Sequence, residues 1–90
     1  MTTTAIAALT PRRRCRVEGE IVKVVVLGWP WVRTEVEIDD GTGTLVLCFD
    51  GRRGLAGLEA GRRISAVGTP SARWGVLVVR NPIYEFSGGC

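Results

Sequence analysis

Apolar and polar residues alternate on both sides of the segment Asp39-Asp40-Gly41-Thr42-Gly43. Before it, Val36 and Ile38 share one face. After it, Leu45, Leu47 and Phe49 share one face. A period of two marks a strand with one buried side. Asp and Gly between two such runs supply the local hydrogen bonds and positive φ angles of a tight reversal. The pattern predicts a hairpin whose strands cover about 32–39 and 44–50.

The remaining hydrophobic runs add three strands. Residues 14–27 form the first, with Val17, Gly19 and Ile21 on one face and Glu18 and Glu20 on the other. From Val22 onward the run is apolar on both faces, which reads as a strand passing from half-exposed to doubly buried, with Gly19 permitting it to coil. Gly28-Trp29-Pro30-Trp31 ends it in a turn. A fourth strand covers 62–69, with Ile64 and Ala66 inward. Pro70 to Arg73 reads as a loop, and 74–80 as a fifth strand, stopped or kinked by Asn81-Pro82. Between the third and fourth strands, the four glycines of Gly51–Gly61 permit only one or two helical turns, with Leu55 and Leu58 as the buried side. Residues 1–13 read as a flexible basic arm and 87–90 as a mobile tail. The expected fold is all-β, a five-stranded Greek-key barrel with one short helix between strands 3 and 4. That is the element order of the OB fold.

Residues 14–86 resemble the short bacterial OB-fold nucleic-acid-binding proteins. They resemble more distantly anticodon-binding-type OB domains and the wedge domain of a branch-migration helicase. The residues that carry the resemblance are Val17-x-Gly19-x-Ile21, then Asp40-Gly41-Thr42-Gly43 with Leu45, Leu47 and Phe49. Gly51-Arg52-Arg53, Leu58-x-x-Gly61, Ile64-x-Ala66-x-Gly68 and Asn81-Pro82-x-Tyr84 follow in order. The resemblance implies a binding module for single-stranded or structured nucleic acid, DNA or RNA, and no enzymatic activity. OB barrels host many partners, so the fold alone does not fix the ligand.

Composition sharpens this in two ways. The chain has 90 residues, 46% hydrophobic, enough for one domain with a core. Its net charge is +3, and all its basic residues except Lys23 are Arg. Arg grips phosphates with a planar fork and stacks on flat rings, although codon bias would give the same count. There is no His, and Cys15, Cys48 and Cys90 are widely spaced. That disfavours zinc sites and removes the usual general base, so neither a metal nor a cofactor is expected. No apolar run approaches a membrane span or a targeting signal, and cytoplasmic residence is the expectation. Asp39 and Asp40 are adjacent on a strand end and point to opposite faces, which suits a turn better than acid–base catalysis.

OB barrels hold single strands on strands two and three, between the loops joining strands one to two and four to five. Those two loops contain all three tryptophans: Trp29 and Trp31 in the first, Trp74 beside Arg73 in the second. Arg33 follows the first loop. Rings there would stack on bases and the arginines would meet phosphates. The competing reading makes the rings barrel plugs or a subunit contact, and Trp31, beside Pro30, suits a structural role best. Arg52, Arg53, Arg62 and Arg63 bracket the expected helix and form a second candidate footprint, with Arg12, Arg13, Arg14 and Arg16 as a basic arm. Their alternative is a solvated surface balanced by Asp50, Glu59 and Glu85. Glu35 and Glu37 would face outward in the middle of the expected groove and oppose a phosphate backbone. The rival function is a protein-interaction or oligomerisation module built on the apolar runs 22–31 and 76–79.

Overall fold

A computed structural model describes residues 2–51 and 55–86. The strands are β1 (Cys15–Leu27), β2 (Arg33–Asp39), β3 (Thr44–Asp50), β4 (Arg63–Gly68), β5 (Pro70–Arg73), β6 (Val76–Arg80) and β7 (Ile83–Phe86). A three-residue 3-10 turn, Ile6–Ala8, precedes them. All seven strands belong to one mixed sheet in the order β5-β6-β3-β2-β1-β4-β7, so the protein is all-β. Every pairing is antiparallel except β3 with β6.

Three expectations change. Residues 55–62 make turns rather than a helix, while 52–54 lie outside the described residues. Leu55 and Leu58 nevertheless pack against the core, so their hydrophobic signal was sound and the glycine-rich segment simply does not wind into a helix. Residues 70–73 form a strand rather than a loop, because β6 offers them an antiparallel partner from Pro70↔Val79 to Arg73↔Val76. Pro70 starts that strand at the sheet margin, where its missing N–H does least harm. Residues 83–86 form the seventh strand against β4.

The join between β4 and β5 shapes the molecule. They stand five places apart in the sheet order, about 24 Å in a flat sheet, yet Thr69 alone connects them. Two Cα steps reach only about 7.6 Å, so the sheet is strongly curled. Gly68 allows the close approach this demands: a Cβ there would fall 2.5 Å from Val79 Cγ1.

β1 makes the second bend. Its first half pairs with β4, and its second half with β2, with Glu20 opposite both Arg63 and Asp39. The register with β2 slips between Ile21 and Lys23, which leaves Val22 as the extra residue of a bulge. The slip lets Ile21 and Val24 both meet inward residues, Ile38 and Val36. At Gly19 a Cβ would lie 2.9 Å from the Asp39 carbonyl oxygen, so only glycine fits where the strands converge. Beyond the bulge the strand is not doubly buried. Val22 and Val26 remain 43% and 45% exposed, because no described strand covers that edge.

The inward faces meet in one core of Val17, Ile21, Val36, Ile38, Leu45, Leu47, Phe49, Ile64, Ala66 and Val79. Tyr84 stacks edge-on between Phe49 and Phe86 at its margin. Ile6 enters the same core, and the segment read as a flexible lead-in is held at several points. The Thr4 amide donates to the Arg16 carbonyl, the Ile6 amide to Asp40 Oδ2 at 2.8 Å, and the Ala7 amide to Thr42 Oγ1 at 3.1 Å. The β2–β3 turn therefore caps a turn of chain more than thirty residues earlier. Asp40 also accepts from the Thr42 amide and hydroxyl through Oδ1.

This contact yields a prediction about acid stability. Burial pushes the Asp40 carboxyl up, but hydrogen bonds from the Thr42 hydroxyl and the Ile6, Thr42 and Gly43 amides outweigh it and leave the group below its ordinary value. A carboxyl lowered in the folded state holds fewer protons than in the unfolded chain. Its stabilisation is thus complete above the ordinary value and is lost as pH falls through the lowered one. Asp40→Ala is expected to cost about 1–2 kcal/mol near neutrality. Urea unfolding of both proteins should show that difference shrinking toward pH 3, and a difference independent of pH would contradict the assignment.

Candidate nucleic-acid interface

The outer side of β2, β3 and β6 is set by the inner one. Because Val36, Ile38, Leu45, Leu47 and Val79 are inward, Arg33, Glu35, Glu37, Thr44, Val46, Cys48, Val76 and Val78 face outward. The β5–β6 hairpin runs alongside β3, which brings Arg73 and Trp74 to the same face. Together these elements enclose an open cleft of about 390 Å³ lined by Arg33, Glu35, Val46, Cys48, Arg73, Trp74, Val76 and Val78. Its floor is aliphatic and its rim is charged.

Trp74 has the most telling geometry. It occupies the two-residue turn between β5 and β6, not the start of a strand, with φ +53° followed by Gly75 at +78°. Positive φ at both central positions is the type I′ hairpin pattern, in which Asn-Gly or Gly-Gly is the usual pair. A bulky aromatic in that conformation is strained. Trp74 is also 97% exposed, so packing recovers none of that cost.

The other expected residues fall into three groups. Arg33 and Arg73 join Trp74 at the cleft. Trp29 and Trp31 are 86% and 64% exposed, so neither is a buried plug, but neither lines this cleft. Their turn sits beside Arg33, Asp50 and Gly51, at the opposite end of β3 from the Trp74 turn. Arg62 and Arg63 lie on the β4 side, away from the cleft. The Arg62 guanidinium sits 3.9 Å above the Phe86 ring, and Arg63 is 3.8 Å from Glu18, so both have structural partners. Arg52 and Arg53 lie outside the described residues.

The acidic residues of β2 are locally balanced. Arg33 Nε lies 3.2 Å from Glu35 Oε2, a Coulombic contact without an aligned N–H bond. Glu37 stands opposite Lys23 in the strand register. Deeper along β3, Asp50 accepts from Arg80 Nε at 3.2 Å and from Nη2. That hydrogen bond leads the causes holding the Asp50 carboxyl below its ordinary value. Burial, with the Asp50 and Glu35 charges, pushes the Cys48 thiol up against a smaller opposing effect from Arg33. Cys48 is thus a buried floor residue rather than a nucleophile. Among the described residues no three His, Cys, Asp or Glu side chains gather as a metal site.

Arg80 contributes to this side of the molecule without having been singled out in the sequence, whereas Arg14 was read only as part of a basic arm and Val76 and Val78 only as part of an apolar run. The alternation Val76-x-Val78-x-Arg80 carried the signal, but only the β3–β6 register shows which strand lies beside it. The chain matches no family model, and no curated protein is similar enough in sequence to count as a relative.

The Cys48 environment predicts slow chemistry. In the folded protein at pH 7.5, alkylation of Cys48 by iodoacetamide, followed by peptide mass spectrometry, should be at least about tenfold slower than in urea. Equal rates would mean the thiol is open and ionised.

Proposed function

We propose that this chain is a non-enzymatic OB-fold module that binds single-stranded or structured nucleic acid with modest affinity. Four features support the OB reading. β1 pairs with both β2 and β4, β3 and β6 run parallel, β4 and β5 behave as one strand interrupted at Thr69, and β5 and β6 form a hairpin. Counted that way, β1, β2, β3, β4–β5 and β6 supply the five barrel strands, and β7 is an addition beside β4. The cleft then occupies the side on which OB barrels hold single strands.

The observation that carries the functional reading is Trp74: a strained, fully exposed indole beside Arg73 at the mouth of an aliphatic cleft. A base stacked on such a ring gains about 1–3 kcal/mol. Arg73 supplies charge for a phosphate, while the Arg33–Glu35 pair adds little net charge. Binding is therefore led by stacking, with few phosphates neutralised.

Titration of fluorescent oligonucleotides tests this. Affinity should fall with salt at a log–log slope of about −0.7 for each phosphate met. Trp74→Asn is the sharpest variant, since Asn suits the turn better than Trp. It should raise unfolding stability by about 0.5–1 kcal/mol while weakening binding about 5- to 100-fold. Unchanged binding by Trp74→Asn together with Arg73→Ala would sink the reading.

One observation favours a second reading, self-association. Val22–Leu27 presents a strand edge that no described strand covers, with one Lys among five aliphatic residues. Uncovered edges of that composition pair with other chains. Light scattering across a concentration series would show dimers that Val26→Lys returns to monomers; a strict monomer throughout removes this reading.

A further inference from the structure

A second pocket adjoins the cleft. It measures about 420 Å³ and is lined by Arg14, Thr69, Ser71, Arg80 and Asn81, with Val67, Gly68 and the exposed Ile83 beside them. The two hollows are neighbours: Ser71 lines this one, Val78 lines the cleft, and the two are cross-strand partners in the β5–β6 hairpin. A path runs between them along the outer side of β6, past Val76, Val78 and Arg80. It is about 13 Å long at the usual strand rise.

The alternative exit from the cleft crosses β2, where Glu35 and Glu37 stand outward. A phosphate backbone taking that route meets carboxylates. Along β6 it meets two valines and then a polar hollow. Arg80 is tied to Asp50 and brings little net charge. Arg14 is exposed and forms no ion pair among the described residues, so it is the unbalanced cation there. Thr69 and Ser71 add hydroxyls to the lining, the Ser71 hydroxyl donating to the Val78 carbonyl at 3.5 Å.

Resting on the nucleic-acid reading above, we infer that the bound strand leaves the Trp74 cleft along β6 and sets a phosphate into the pocket of Arg14, Thr69 and Ser71. The cleft takes a base and this pocket takes the backbone further along the same strand. The footprint therefore has two parts, one dominated by stacking and one by charge.

Length-dependent binding separates the two. Fluorescence anisotropy with oligothymidylates and oligouridylates of about 2 to 12 nucleotides brackets much of the usual footprint of a single barrel, about 4–16. Arg14→Gln should leave the shortest oligonucleotides bound as tightly as by the wild type, and weaken the longer ones about 3- to 30-fold. It should also lower the salt slope by about 0.7. Arg14→Lys should restore the slope, and Ser71→Asp should reproduce the defect by placing a carboxylate in the pocket. Wild-type binding with a slope and length dependence unaltered by Arg14→Gln and Ser71→Asp overturns the second pocket while leaving the cleft intact. Loss of long-oligonucleotide binding in Arg14→Gln, with none in Trp74→Asn, overturns the cleft and leaves the pocket. No binding by the wild type at low salt overturns both.

Discussion

Thr69 is the constraint on which the rest of the structure depends. One residue joins two strands that occupy distant places in the sheet, so the sheet must curl for the chain to be continuous. The curl gathers the inward residues of β1–β4 and β6 into a single core, and it carries the β5–β6 hairpin round to the free side of β3. Gly68 makes this sterically possible by leaving room for Val79. Had β4 run on without a break, Arg73 and Trp74 would not stand beside Val46 and Cys48. The cleft is thus a consequence of how the sheet bends, and its position follows from backbone geometry before any side-chain chemistry is considered.

β1 answers the same demand by a different device. A strand that must pair with β4 at one end and β2 at the other cannot keep one register throughout, and the bulge at Val22 absorbs the change. Two consequences oppose one another. The bulge keeps both Ile21 and Val24 directed at the core, which favours burial. It also sends residues 22–27 past the end of β4, where one strand edge has no partner among the described strands and two valines stay exposed. Lys23 in the middle of that edge is the type of residue that discourages uncontrolled strand pairing.

Strands and core were legible in the sequence wherever one face is buried. Val36, Ile38, Leu45, Leu47, Phe49, Ile64 and Ala66 sit inward as their alternation indicated. The helix between the third and fourth strands was misjudged, since Leu55 and Leu58 are spaced for a helix but can reach the core from turns. Pro70–Arg73 was misjudged for the reverse reason. Pro-Ser-Ala-Arg has no strand-like alternation, and only the neighbouring β6 makes it a strand. At the cleft, Arg33, Arg73 and Trp74 were identifiable from their loop positions. The structural engagement of Arg62 with Phe86 was not, because a cation placed over a ring depends on contacts across the sheet that no local pattern encodes.

The energetics of Trp74 limit what the cleft can achieve. A non-glycine residue held at positive φ costs the fold of the order of 1–3 kcal/mol, and a stacked base would contribute a similar amount to binding. The turn would be more stable with the smaller residues that ordinarily fill it, so folding alone gives no reason for an indole there. On the proposed reading, stacking a base would not refund the strain, which is already present in the free protein; it would gain affinity on a ring held in place beforehand. With Arg33 occupied by Glu35, and Arg80 by Asp50, few cations beside the cleft would remain to strengthen the proposed complex. A single fixed ring and one or two free guanidinium groups suit a ligand that arrives and leaves readily. They do not suit one that is locked in place.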